Sequence, residues 1–220
     1  MDDAFILRHV DHTLLKATAS WVEIEKLCKE ALEFNTASVC VPPCYVKRIR
    51  KAFPNLNICT VIGFPLGYDS TCAKSAEAQH AINDGANELD MVINITDVKN
   101  NSINAVRDEI AALKTIADTR VLKVIIETCY LTKDEKIELC HAVTKAEADY
   151  IKTSTGLGTG GATMEDIELF KKHIGPNVKI KAAGGIRTRE DMVAYLEAGC
   201  DRLGTSSAVS ILTAGTNKGY

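Results

Sequence analysis

The chain is 220 residues long, 46% hydrophobic and 25% charged, with 26 basic against 29 acidic residues for a formal net charge of −3. That length and balance suit one globular domain spanning residues 1–220, able to remove roughly 70% of its unfolded surface from water. With no basic tract and a weakly negative total, nucleic acid and an anionic membrane surface are excluded as main partners.

The start, Met1-Asp2-Asp3-Ala4-Phe5, is acidic where a secretory leader would be basic, so no leader and a cytoplasmic setting are expected. The eight cysteines, Cys28, Cys40, Cys44, Cys59, Cys72, Cys129, Cys140 and Cys200, form no C-x-x-C pair. Reduced, mostly buried thiols follow, with Cys40 a packed thiol near the end of its strand. The five histidines are dispersed, and neither H-x-x-x-H nor a His/Cys cluster marks a metal site.

In chain order, short apolar runs alternate with longer helical patterns. Strands are expected at Val10–Leu15, Ser38–Val41, Ile58–Gly63, Glu88–Ile93, Leu122–Glu127, Tyr150–Ser154, Val178–Ala183 and Arg202–Thr205. Trp21–Phe34 places Trp21, Ile24, Leu27, Cys28, Ala31 and Leu32 on one helical face behind Ser20 as N-cap. Thr163–His173 opens with a capping-box-like Thr-Met-Glu-Asp, and Thr188–Ala198 stops at Gly199. Strand then helix recurs eight times at a spacing of about 25 residues, and the strands are continuous apolar runs, as parallel strands covered on both faces should be. The pattern predicts an α/β fold, a (β/α)8 TIM barrel. A doubly wound sheet is the rival, weakened by the missing G-x-G-x-x-G after the first strand.

Five strands carry charges that an apolar interior would reject: Asp11, Asp90, Lys123, Lys152 and Lys181. One such lysine is most simply an ion pair or a side chain reaching a wet barrel mouth. Three lysines and two aspartates converging on one barrel point instead to a site. Lys152 and Lys181 lie on neighbouring strands, so their amines are expected roughly 5–8 Å apart for a strand spacing of about 4.8 Å. Repulsion on the order of 2.4 kcal/mol at ~7 Å and an effective dielectric near 20 would lower the pKa of one of the pair. A neutral amine is what a Schiff-base nucleophile requires. Asp90 would pair with a lysine or shuttle a proton. Lys179 shares the parity of Lys181 but sits toward the opposite mouth, so Lys181 is preferred as the partner.

Gly184-Gly185-Ile186-Arg187 follows the seventh strand and Gly204-Thr205-Ser206-Ser207 ends the eighth, the usual barrel location for phosphate. Thr155-Gly156-Leu157-Gly158-Thr159-Gly160-Gly161 follows the sixth. One Gly-Gly turn is weak evidence. Three such loops on consecutive strands point to a small phosphorylated ligand.

These stretches resemble the deoxyribose-phosphate aldolase family of class I, Schiff-base aldolases. The likeness runs through Asp11-His-Thr-Leu-Leu-Lys16, Ser38-Val-Cys-Val41, Cys59-Thr-Val-Ile-Gly-Phe-Pro-Leu-Gly67 and Glu88-Leu-Asp-Met-Val-Ile-Asn94. It continues in Leu122-Lys-Val-Ile-Ile-Glu-Thr128, Ile151-Lys-Thr-Ser-Thr-Gly156, Lys181-Ala-Ala-Gly-Gly185 and Gly204-Thr-Ser-Ser207. The resemblance implies that Lys152 forms the Schiff base and that Asp90 and Lys181 move protons. It places Asp11, Thr13 and Lys123 in the lining of the pocket, Thr155 among the substrate-binding residues, and Gly156, Gly184, Gly185, Gly204, Ser206 and Ser207 around the 5-phosphate. The implied reaction is reversible cleavage of 2-deoxy-D-ribose 5-phosphate to D-glyceraldehyde 3-phosphate and acetaldehyde, without metal or organic cofactor, by a homodimer. Leu157 stands where some relatives carry a lysine, and Ala182 where others carry proline or serine. The terminal Tyr220 resembles a tail that some relatives fold into the site; a frayed terminus is the alternative.

Other readings remain open on the residues alone. Another Schiff-base barrel aldolase fits the lysines equally well. An isomerase or epimerase would need a carboxylate base without the lysine pair, and a phosphosugar-binding barrel would need no second lysine.

Overall fold

The eight apolar runs form eight short parallel strands: β1 (Val10–Thr13), β2 (Ser38–Val41), β3 (Ile58–Ile62), β4 (Glu88–Val92), β5 (Val121–Ile125), β6 (Tyr150–Lys152), β7 (Lys179–Ala183) and β8 (Arg202–Thr205). In this computed structural model, which describes residues 1–213, each strand pairs with the next and β1 closes on β8, Asp11 opposite Gly204. This is the expected (β/α)8 barrel.

The two faces of the strands differ in chemistry. Outward residues such as Val39, Ile58, Leu89, Met91, Val124, Ile151, Ile180 and Leu203 are buried in one apolar cluster under the helices. Each full burial of this kind stabilises by roughly 1.5–3 kcal/mol. The opposite parity, two residues apart along each strand, turns Asp11, Ser38, Cys59, Glu88, Asp90, Lys123, Lys152 and Lys181 into the barrel. All of them are buried.

The helices begin where the sequence provides caps. Ser20 accepts from the Glu23 N–H while Glu23 reaches back, closing a capping box on Trp21–Glu33. Thr188 does the same with Asp191 for Arg189–Glu197, and Thr163 accepts from the Asp166 N–H at the head of Met164–His173. Such caps contribute ~1 kcal/mol each. Ile24, Leu27, Cys28 and Ala31 form the buried stripe of the first of these helices, whereas Leu32 is 52% exposed and falls off it. Gly199, at φ +104, ends the helix before β8. Among the described residues no helix is long and apolar enough to cross a membrane.

β1, β3, β4, β5 and β6 end one or two residues earlier than expected, and for β6 and β5 the local reason is visible. After Lys152 the Thr153 hydroxyl accepts from the Ala183 N–H at 3.1 Å, replacing a ladder carbonyl and ending β6. After Ile125 the backbone turns left-handed at Glu127, φ +53.

Candidate active site

The inward residues of six strands meet in one ionic cluster. Asp90 on β4 is fully buried, and its Oδ2 accepts from Lys152 Nζ at 2.7 Å and from Lys181 Nζ at 2.6 Å. Its Oδ1 accepts from Lys123 Nζ at 2.9 Å and from the Cys59 thiol at 3.1 Å. Asp11 on β1 faces Lys181 at 2.5 Å through Oδ2, while its Oδ1 accepts from Ser38 Oγ at 2.8 Å and from Arg202. One level nearer the N-terminal mouth, Glu88 pairs with Lys123 at 2.5 Å, with Arg202 at 3.1 Å and with Asn57 at 2.7 Å.

These pairings set the charge states. Burial pushes the Asp90 carboxyl up, but Lys123, Lys152 and Lys181 together hold it well below the carboxylate range. Burial likewise opposes ionisation of Asp11, and Lys181, Lys123 and Arg202 overcome it. Lys181 is pushed down by burial and carried above its ordinary value by Asp11 and Asp90; Lys123 is raised against burial by Asp90, Cys59, Asp11 and Glu88. The expected lysine–lysine repulsion therefore does not yield a neutral Lys181. Two aspartates clamp it as an ammonium.

Above the cluster opens a cavity of about 540 Å³, lined by Thr13, Lys16, Lys152, Gly156, Leu157, Gly184, Gly185, Arg187, Gly204, Ser206 and Ser207 among others. Lys152, 3% exposed, is the one member of the ionic cluster that lines it. Thr13 lines the cavity as expected. Asp11 and Lys123, expected in the lining, are instead fully buried beneath its floor, because their strand positions lie below the mouth. Lys179 is exposed, its Nζ 5.8 Å from the Tyr150 ring centroid, which leaves Lys181 as the partner on β7.

The glycines bring three loops together. Gly184 and Gly185 have φ of +82 and +79, values open to glycine at little cost. A Cβ on Gly161 would come within 2.4 Å of the Gly184 carbonyl oxygen, so the loops after β6 and β7 touch. A Cβ on Gly204 would lie 2.9 Å from Ala183 Cβ and 3.2 Å from Lys181 Cε. Thr155 lines the cavity, and its N–H and hydroxyl both donate to Glu127. Leu157, 64% exposed, brings no charge, whereas Lys16 and Arg187 place two cations on the same lining.

The strand pattern held more than the charges first singled out. Glu88 and Arg202 share inward parity with Asp90 and Gly204, and that parity was the available signal for them. Cys40 and Cys59, opposite each other on β2 and β3, form a small buried cluster with Val61. Cys40 is packed there as expected, with its thiol lowered chiefly by the neighbouring Cys59 thiol against the effect of burial. Tyr220 lies outside the described residues.

A single lysine amine at the foot of a cavity ringed by glycine loops puts this barrel among those that act on small carbonyl compounds. The family model described as DeoC/LacD family aldolase matches residues 5–212. The deoxyribose-phosphate aldolase of Clostridium botulinum (strain Alaska E43 / Type E3) is 62% identical over 221 aligned positions covering 100% of both chains. That of Clostridioides difficile (strain 630) is 56% identical over 208 positions, 94% of this chain and 95% of the relative. Among solved structures, the tetrameric deoxyribose phosphate aldolase from Aeropyrum pernix superposes with a TM-score of 0.91 at 31% identity, covering 98% of this chain and 93% of that one. The chain belongs to the DeoC/LacD family of aldolases.

Proposed function

We propose that this enzyme catalyses the reversible aldol cleavage of 2-deoxy-D-ribose 5-phosphate to D-glyceraldehyde 3-phosphate and acetaldehyde through a Schiff base on Lys152. One observation carries the assignment of the nucleophile: of the buried bases in the ionic cluster, Lys152 alone borders the cavity. The ion pairing agrees with it. Asp11, Glu88 and Asp90 face Lys123, Lys181 and Arg202, so those three cations have carboxylate partners beside Asp90, whereas Lys152 has Asp90 alone.

In this mechanism the Lys152 amine attacks the C1 aldehyde and water leaves to give the imine. Removal of the C3 hydroxyl proton then breaks the C2–C3 bond, releasing glyceraldehyde 3-phosphate and leaving a two-carbon enamine on Lys152. Protonation at C2 and addition of water release acetaldehyde and restore the amine. Asp90, in contact with both lysines, passes protons to and from the nitrogen and, through water in the cavity, takes the C3 hydroxyl proton and returns one to C2; the Lys181 ammonium, on the same Asp90 oxygen, shares in this relay from beneath the cavity floor. The phosphate lies against Gly156, Gly184, Gly185, Gly204, Ser206 and Ser207, with Lys16 and Arg187 neutralising it. The N–H groups of Gly156, Gly185 and Ser206 donate to no acceptor among the described residues and suit this role.

No metal or organic cofactor enters this scheme, and full activity in the presence of a chelator is expected. A cytoplasmic homodimer completes the reading; the Aeropyrum pernix relative is tetrameric, and light scattering decides the assembly here. The central test is borohydride reduction in the presence of acetaldehyde or the sugar phosphate, followed by peptide mapping. A stable adduct on Lys152 is expected. Full activity in Lys152→Ala would overturn the mechanism.

A further inference from the structure

Glu127 lies just beyond β5 and stands apart from every other buried charge near the site. It is buried, its φ is +53, and no basic side chain pairs with it among the described residues. A side chain in the left-handed region persists only where the surroundings impose it. Here the imposed conformation has a visible geometry. Ile126 N–H donates to the Lys152 carbonyl at 3.1 Å and Thr128 N–H to the Thr153 carbonyl at 2.9 Å, so β5 stays zipped to β6 on either side of Glu127. The turn between those two bonds swings the Glu127 carboxyl across to the loop after Lys152.

That carboxyl takes both donors of one residue. The Thr155 N–H donates to it at 3.1 Å and the Thr155 hydroxyl donates to it as well. The same hydroxyl oxygen accepts from the Leu157 N–H at 3.0 Å. The donors of Thr155 and Leu157 are thus spent inside the protein, and the N–H of Gly156 between them is left free, on a cavity-lining residue held at φ +83. Glu127 itself does not line the cavity.

We propose that Glu127 is a positioning residue that shapes the loop Thr155–Leu157 and aims the Gly156 N–H at the substrate phosphate. The proposal rests on the phosphate reading of the cavity given above. It assigns Glu127 to phosphate selectivity and not to the chemistry at Lys152.

The test compares cleavage of 2-deoxy-D-ribose 5-phosphate with that of unphosphorylated 2-deoxy-D-ribose in the full-length enzyme. Glu127→Gly is the informative variant, because glycine is at ease at φ +53 and the fold loses only the side chain. Its KM for the phosphorylated sugar should rise roughly ten- to a hundredfold, the effect of leaving buried donors unpaired, with kcat little changed. Its kcat/KM for the unphosphorylated sugar, and borohydride trapping of acetaldehyde, should stay at the wild-type level. Glu127→Gln, which keeps one acceptor for the Thr155 N–H, should recover most of the loss. An unchanged preference for the phosphorylated sugar in Glu127→Gly overturns the proposal, as does an equal loss on both substrates. Wild-type enzyme with no such preference would overturn the phosphate reading itself, and this proposal with it.

Discussion

Lys152 and Lys181 put their amine nitrogens on one and the same oxygen, Oδ2 of Asp90, at 2.7 and 2.6 Å. They differ in what else they touch. Lys181 is also held by Asp11 and is fully buried, while Lys152 reaches the cavity. A shared carboxylate with unequal second partners makes two chemically identical side chains different: one is clamped between two aspartates, the other is held by one and borders the cavity.

Replacing the clamped lysine should separate these roles. In Lys181→Met, Asp11 loses its closest ammonium and Asp90 keeps Lys123 and Lys152. A fall in kcat of about 10²–10⁴-fold is expected from the loss of a proton-transfer and charge-stabilising partner. Steady-state kinetics with borohydride trapping checks it: an adduct on Lys152 should still form, more slowly.

The lower level of the cluster should behave as a unit. Arg202→Met leaves Asp11 and Glu88 short of a cation, and breaking a buried pair costs about 3–5 kcal/mol. In Glu88→Gln with Arg202→Met, the positive and negative deletions offset, and part of that loss should return. Denaturant unfolding of the two single variants and the double variant measures the coupling.

Gly204→Ala should injure both fold and activity. The new methyl would crowd Ala183 Cβ at 2.9 Å and the Lys181 stem at 3.2 Å. Overpacking of this kind costs about 1–3 kcal/mol, and the displacement of Lys181 should lower kcat more than it changes KM. Thermal unfolding alongside kinetics distinguishes this from a loss of phosphate binding, which would raise KM.

Stability should fall off on both sides of neutrality. Asp11 and Asp90, held low in the fold, contribute stability that is complete above their unfolded pKa near 3.9 and is lost as pH falls below it. His12, lowered by burial, adds a loss that begins below about pH 6.5. Glu77 and Glu109, raised by burial, act in the opposite sense and make the acid limb shallower. Lys123 and Lys181, raised by their carboxylates against burial, contribute stability that is complete below about pH 10.4 and lost above it. Urea midpoints across pH should show a plateau between these limbs, and Asp11→Asn should flatten the acid one.

Much of this was legible in the sequence because parallel barrel strands are apolar on their outer face, so any charge within them stands out. Asp11, Asp90, Lys123, Lys152 and Lys181 were visible for that reason. Glu88 and Arg202 lie at strand starts, where a charge ordinarily reaches solvent, and only their parity marks them as inward. How deep each residue sits was not legible either: Asp11 and Thr13 share a strand face, yet one lies under the floor and the other lines the cavity. The role of Thr155 was hidden because it depends on a left-handed turn at a glutamate, which no propensity rule anticipates.

The layering beneath the cavity also bears on how mutational scans of this enzyme are to be interpreted. Glu88, Arg202 and Lys123 do not line the cavity, yet they are tied through Asp90 and Asp11 to Lys152, which does, and to its neighbour Lys181. Inactive variants at these positions would score like active-site knockouts while reporting on electrostatic containment. Tolerated changes there should come in compensating pairs, so that covariation between positions 88, 123 and 202 outlines the enclosure, and invariance at 152 the reactive atom inside it.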